Sequence, residues 1–359
     1  MGGRRQLEEP ELKVSLVVVG FRSSGVLPAA LASFRREARE CGLASEVVLV
    51  DHSEDAKEAA RLRSLEPDQL LLEENRGYAA GLNRGIAEAR GELLLLANPD
   101  LEFAAGALAP LLAAFEAGFS VVGPQFHLGR FLFPPAELQT PAEEVARVQA
   151  RRSTRRRLRL MVRELGRSLR VWEAGEPVEV EALSGALLAL RADTAARLGR
   201  WDEGYFLYFE ETDWLRQARS RGERLAIVPA ARVAHAWGHA ASEHEAVYEA
   251  SRRRFYRRHW GWSGHFVARL HAPEPPRWPP LAEERALLAG GERLWLVSPS
   301  AWGFPNAGAW LSGQELPSAL EELAAATDRP AIELTVQAYD PASAQLSGPF
   351  SWAWTRARA

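Results

Sequence analysis

From residue 14 to residue 122, short apolar runs rich in valine and leucine alternate with longer stretches whose apolar positions recur every three or four residues. That rhythm builds a parallel sheet with right-handed helical crossovers. It predicts strands at 14–19, 46–50, 69–72, 92–97 and 120–123, with helices at about 27–40, 56–65, 78–89 and 104–117. From 130 to 172 the rhythm breaks. A loop with Pro134, Pro135 and Pro141 leads into an arginine-dense helical stretch, which reads as an insertion. Strand character returns at 178–190, followed by a helix at 211–221, short strands at 225–228 and 232–235, and a helix at 243–259. Residues 273–280 hold five prolines, a linker composition. The expected organisation is therefore an α/β domain over 1–272, a linker at 273–280, and a small C-terminal α/β unit over 281–359.

Composition narrows the class. The chain has 359 residues, 47% apolar and 25% charged, which suits a packed globular protein. Its net charge of −3 favours neither nucleic acid nor strongly acidic partners. Cys41 is the single cysteine, so no internal disulfide forms, and no apolar run reaches the length of a bilayer span. With no leader-like segment before residue 14, the expected location is the cytoplasm, or the inner face of the cell membrane as a peripheral protein.

Carboxylates stand at strand ends. Asp51 closes the second predicted strand, and Asp100 follows the fourth in Asn98-Pro99-Asp100. In an open parallel sheet the ligand crevice lies outside the carboxyl ends of the strands, so both would face it. Acids in such places also cap helices and make turns. Between them, residues 74–85 form a glycine-punctuated strand-to-helix turn whose backbone amides suit a diphosphate. Farther on, an aromatic run (206–209) delivers Glu210, Glu211 and Asp213 into the first turn of a helix, where the dipole also favours acids without any catalytic role. His235 and His239 follow at a strand end.

Several ordered blocks carry a resemblance: residues 47–51 with Ser53 and Asp55, 75–85, 94–100, 183–186, 206–213 and 228–235. Over residues 14–240 the chain resembles the family 2 glycosyltransferases of the GT-A fold, and within them the rhamnosyltransferase-like branch. The resemblance implies an α/β nucleotide-diphospho-sugar transferase fold and an inverting transfer from a UDP- or dTDP-linked sugar, rhamnose among them. The acceptor would be a glycan or lipid-linked precursor of cell-envelope polysaccharide. It implies that Gly20, Phe21, Asp51, Ser53, Asn75, Gly77, Gly81, Asn83, Asn98 and Asp100 contact the donor, Asp51 through the ring N–H of a pyrimidine. Ser184, Gly185 and Trp237 would lie on the acceptor side. Glu211 would be the base, with Glu210 and Asp213 positioning the loop or acceptor. Asp100 and His235 would hold Mg²⁺ or Mn²⁺ on the diphosphate. The chain departs from the family pattern at Gly20-Phe21-Arg22, at His52, at Asn98 in place of an acid, and at Glu211 in place of Asp.

Two features stand outside this resemblance. Residues 151–170 contain nine arginines and one acid, Glu164, with apolar residues interspersed. They suit a solvated helix, or an anionic membrane surface or lipid-diphosphate acceptor, better than nucleic acid, for which no module accompanies them. Residues 281–359 carry five of the chain's twelve tryptophans, expected in a core or an interface such as a homodimer's. Two other functions share such a fold: a non-catalytic sugar-nucleotide or carbohydrate-binding protein, and a nucleotidyltransferase, which would normally show a glycine-rich basic loop after the first strand.

Overall fold

The computed structural model describes residues 12–236, 245–267, 269–270, 276–303, 305–327 and 329–356. In chain order the elements are β1 (Leu12–Gly20), α1 (Leu27–Glu40), β2 (Ala44–Asp51), α2 (Ala56–Arg63), β3 (Gln69–Leu72), α3 (Tyr78–Glu88), β4 (Leu93–Ala97), β5 (Leu101–Phe103), α4 (Leu108–Glu116) and β6 (Val121–Leu128). Then come β7 (Phe131–Leu132), α5 (Pro141–Arg152), α6 (Thr154–Trp172), β8 (Val178–Glu179), β9 (Leu187–Arg191), α7 (Ala192–Leu198), α8 (Glu210–Ser220), β10 (Leu225–His235) and α9 (Glu245–Val267). The chain ends with α10 (Arg285–Leu288), β11 (Arg293–Ser298), β12 (Ala307–Leu311), α11 (Leu316–Ala325), β13 (Ala331–Asp340) and β14 (Gln345–Thr355). Two compact units result: residues 1–124 with 179–233, and residues 125–178 with 234–359.

In the first unit the strand order is β6-β9-β4-β1-β2-β3. β1 is parallel to both β2 and β4, and β2 to β3, while β9 enters antiparallel between β4 and β6. This is the mostly parallel α/β sheet expected from the apolar rhythm. Winding reverses at β1: the chain steps outward through β2 and β3, and α3 carries it back to β4 on the other side. The carboxyl ends of β1, β2 and β4 therefore open on one crevice. Val17, Val18, Leu49, Val50 and Leu95 are fully buried, as strands covered on both faces require. Asp55 caps α2, its carboxylate accepting from the N–H groups of Lys57 (2.7 Å) and Glu58 (3.3 Å). At Gly81 a Cβ would lie 2.5 Å from a Val19 methyl, and at Gly85 it would collide with Val17, so α3 reaches β1 only because both are glycine.

Some elements differ from expectation. Residues 225–235 form one strand that runs through Pro229, not two, and 178–190 divides into β8 and β9 around a loop. The last helix before the prolines extends to Val267, with a kink at Gly261 (φ 54°).

The second unit has an antiparallel sheet ordered β14-β13-β11-β12-β7, joined by the end of β6. Helix α6 packs on the C-terminal residues. Leu160 and Met161 cluster with Ala150 and Trp302, and Leu165 and Trp172 with Leu294 and Leu296. Any side chain at Gly308 would meet the Trp172 ring. The arginine-rich segment thus shares its core with β11 and its neighbours. Trp295 is fully buried, its indole N–H donating to the Leu311 carbonyl at 3.1 Å. Among the described residues no helix is long and apolar enough to cross a membrane.

Candidate functional site

At the end of β2, Asp51 is buried, and its Oδ1 accepts from the Ser53 hydroxyl (2.5 Å) and the Ser53 N–H (3.2 Å). Ser53 Oγ accepts in turn from the Arg22 N–H at 2.6 Å, tying the loop after β1 to the loop after β2. Gly20 belongs to this clasp, because a Cβ there would collide with the Ser23 hydroxyl. Phe21 is 56% exposed, with the Arg22 guanidinium 5.3 Å from its ring centre. Beside Asp51 lies a cleft of about 330 Å³, lined also by Glu54, Asp55, Leu72, Glu73 and Glu74. So many carboxylates would repel a phosphate and favour a ligand that offers N–H or O–H donors.

The turn into α3 is built by side chain and backbone together. Asn75 Oδ1 accepts from the Gly77 N–H at 3.2 Å, and the Asn75 N–H donates to Glu54 at 3.2 Å. Gly77 has φ 95°, and a Cβ there would strike the Phe206 backbone. The next N–H, that of Tyr78, donates to the Phe206 carbonyl at 2.8 Å. This pins the start of α3 to the aromatic segment before α8. Asn83 is turned inward. Its amide exchanges bonds with the Trp201 backbone (2.9 and 3.0 Å) and donates to Glu203 (2.9 Å), so its polar atoms hold the 201–203 loop and do not face the crevice.

The acids of α8 stand on a strained turn. Tyr208 (φ 67°) and Phe209 (φ 69°) are both left-handed, a conformation costing such residues about 1–3 kcal/mol each. Glu210 and Asp213 are buried, and Glu211 is half-buried. Asp213 accepts from Gln217 (2.8 Å) and from the Tyr205 hydroxyl (3.4 Å), which commits it to the fold. Glu211 packs on Gly185, where a Cβ would come within 3.0 Å of the Glu211 Cβ and Cγ. Ser184 Oγ accepts from the Ala186 N–H at 3.3 Å, and the Ala186 carbonyl accepts from the Asn98 N–H at 2.8 Å. The loop beside Glu211 is thereby bonded to the loop that carries Asp100.

Tyr78 was not singled out by its sequence. Its hydroxyl is buried, finds no hydrogen-bond partner among the described residues, and lies in the fields of Glu210, Glu211 and Asp100. Burial, with those three charges, pushes its pKa far up, so the hydroxyl remains a donor. Glu210 Oε2 also has no partner among the described residues. Burial raises the Glu210 carboxyl well above the usual range, and repulsion from Glu211 adds to it. Burial raises Glu211 too, opposed by the N–H groups of Phe209, Glu211 and Thr212 and by the Thr212 hydroxyl. A tyrosine at the start of a helix normally reads as core; only its adjacency to the Asn75–Gly77 turn could have marked it.

A pH dependence follows. A carboxyl with a raised pKa loses its proton only at higher pH, so any rate that needs ionised Glu211 rises with pH through that value and then levels. The Glu211 charge raises Glu210, whereas burial raises Glu211, so Glu210→Gln is expected to leave this acidic limb in place. A limb moved to lower pH in the kcat profile would show that Glu210 is charged when Glu211 ionises.

Asp100 belongs to the first unit, and His235 to the second, where its ring lies 5.5 Å from Phe126 and 6.3 Å from Phe133. Trp237 lies outside the described residues. Among the described residues no three His, Cys, Asp or Glu side chains gather into a set that could hold a metal.

Residues 15–160 match the family described as glycosyl transferase family 2. The chain is 28% identical over 123 residues to an undecaprenyl-phosphate 4-deoxy-4-formamido-L-arabinose transferase of Yersinia pestis (strain Pestoides F), a match covering 33% of this chain and 38% of the relative. It is 28% identical over 109 residues to an uncharacterized glycosyltransferase of Bacillus subtilis (strain 168), covering 29% of this chain and 27% of the relative. The chain thus matches well under half the length of these relatives. Among solved structures it is similar to a mannosyltransferase from Pyrobaculum calidifontis in complex with GDP-Man and Mn²⁺, at 18% identity and a TM-score of 0.44, over 74% of this chain and 66% of that one.

Proposed function

We propose that the chain is an inverting glycosyltransferase of the GT-A type, moving a sugar from a nucleoside diphosphate donor onto an acceptor hydroxyl. One observation carries the reading: the buried Tyr78 hydroxyl, without a hydrogen-bond partner among the described residues, stands at the start of α3 within the influence of the Glu210, Glu211 and Asp100 carboxyl groups. The family match over 15–160 supports the class. Asp51 and its acidic cleft suit a base that offers a ring N–H, such as uracil or thymine, which favours a UDP- or dTDP-linked donor. The Yersinia relatives are named for undecaprenyl phosphate, which favours a lipid-linked acceptor in envelope synthesis over a free glycan.

In the proposed reaction Glu211 takes the proton of the acceptor hydroxyl as that oxygen bonds to the anomeric carbon. The bond from that carbon to the diphosphate breaks on the opposite face, and its electron pair leaves with the diphosphate. The Tyr78 hydroxyl and Glu210 Oε2, both buried and without a partner among the described residues, would hold hydroxyls of reacting sugars that reach them.

The described residues do not form a closed metal site, but they fit an ion that arrives on its substrate. Magnesium-type cations commonly bind one or two carboxylates together with phosphate oxygens and water, and half-buried Asp100 supplies one carboxylate at the crevice. Asp100 would hold Mg²⁺ or Mn²⁺. The ion's contribution would be to neutralise charge on the departing diphosphate. UDP or dTDP is then expected to raise the melting temperature only with Mn²⁺ or Mg²⁺ present, by an amount equivalent to about 2.7 kcal/mol at one hundred times Kd. Asp100→Ala should abolish the stabilisation that nucleotide and metal give together. Equal stabilisation in excess EDTA would overturn the assignment.

A further inference from the structure

Helix α6 has a buried side and a solvent side. Successive residues turn about 100°, which places Arg155, Arg156, Arg159 and Arg163 with Leu158 and Val162 on one exposed stripe, opposite the side that packs on Leu294 and Trp302. No acidic residue is exposed on this helix, since Glu164 lies off the stripe and half-buried. Arg163 reaches Glu143 and Glu164, but no carboxylate among the described residues pairs with Arg155, Arg156 or Arg159. A merely solvated stripe has no use for apolar groups, yet Leu158 is 42% exposed and Val162 61%. The end of α9 repeats the combination, with Trp262 81% and Phe266 66% exposed near exposed Arg257, Arg258 and Arg269. All five large apolar side chains exposed in the described part of the second unit lie on α6 or on the α9 end with Leu270 just after it.

We infer that the second unit docks on the surface of an anionic bilayer through the solvent stripe of α6, with the aromatic end of α9 as an additional anchor. Arginines would meet headgroup phosphates while Leu158 and Val162 enter the boundary with the acyl chains. Tryptophan and phenylalanine prefer the same interfacial depth. A nucleic acid would satisfy the arginines but offers nothing to the leucine and valine set among them.

The experiment is co-sedimentation of the full chain with vesicles of phosphatidylcholine alone, or mixed with phosphatidylglycerol, over a salt series. Binding is expected only with the anionic lipid and should weaken as the screening length falls from about 30 Å at 0.01 M to about 10 Å at 0.1 M salt. Replacing Arg155, Arg156 and Arg159 together by Gln should lower partitioning by about two orders of magnitude at low salt. Leu158→Ser with Val162→Ser should weaken the salt-resistant part. These side chains are exposed, so circular dichroism should be unchanged, and equivalent Gln changes at exposed Arg61 and Arg63 of the first unit should leave binding intact. Equal binding to both vesicles, no binding to either, an unaffected arginine variant, or binding to an RNA oligonucleotide without binding to vesicles would each overturn the inference. Since no turnover is measured, its failure is separate from failure of the proposed transferase activity.

Discussion

Glu211→Gln is expected to lower turnover by roughly 10²–10⁴-fold while leaving binding of the nucleoside diphosphate nearly unchanged. The substitution keeps the shape of a side chain that fits tightly against Gly185 and removes only its capacity to accept a proton. The neighbouring acids provide the contrast. Asp213 already accepts from Gln217 and Tyr205, so Asp213→Asn should act mainly on stability. Glu210, buried with its pKa pushed well up, is largely protonated where Glu211 is to act, so Glu210→Gln should retain substantial turnover. The measurement is single-turnover transfer with each variant, together with the anomeric configuration of the product. A Glu211→Gln enzyme near full activity beside a dead Glu210→Gln would move the base to Glu210. A retained configuration would remove the direct displacement.

The crevice was legible because its residues sit where sheet topology puts them. Asp51 and Asp100 end apolar runs, and a parallel sheet makes strand ends converge. The division of the α8 acids was legible too. Residues 210 and 213 share a helix face, and both are buried, leaving Glu211 toward Gly185. The Tyr208-Phe209 turn was hidden, since nothing in two aromatic residues announces a left-handed backbone that only the surrounding packing enforces. Also hidden was the union of α6 with β11 and β12, whose partners lie more than a hundred positions apart and whose local patterns describe each segment alone. Pro229 concealed the continuity of β10, because a residue without an N–H reads as a strand break.

The most severe single-methyl change is expected at Gly77. Gly77→Ala places a Cβ on a residue at φ 95°, a conformation that alanine adopts only under strain, and drives it into the Phe206 backbone. Either the turn opens or Phe206 retreats. In both cases the bond from the Tyr78 N–H to the Phe206 carbonyl is lost, and this bond joins the start of α3 to the segment that presents Glu210 and Glu211. The Tyr78 hydroxyl then shifts relative to the acids around it. A displacement of about 1 Å among reacting groups can cost on the order of 10²-fold in rate, so Gly77→Ala should lose at least that much turnover along with a lower melting temperature. Gly25→Ala and Gly166→Ala are the matched controls, for a Cβ at either meets nothing within 4 Å and neither has a left-handed φ. A Gly77→Ala protein with turnover like those controls would show that the coupling of the α3 turn to the α8 acids does not govern the chemistry.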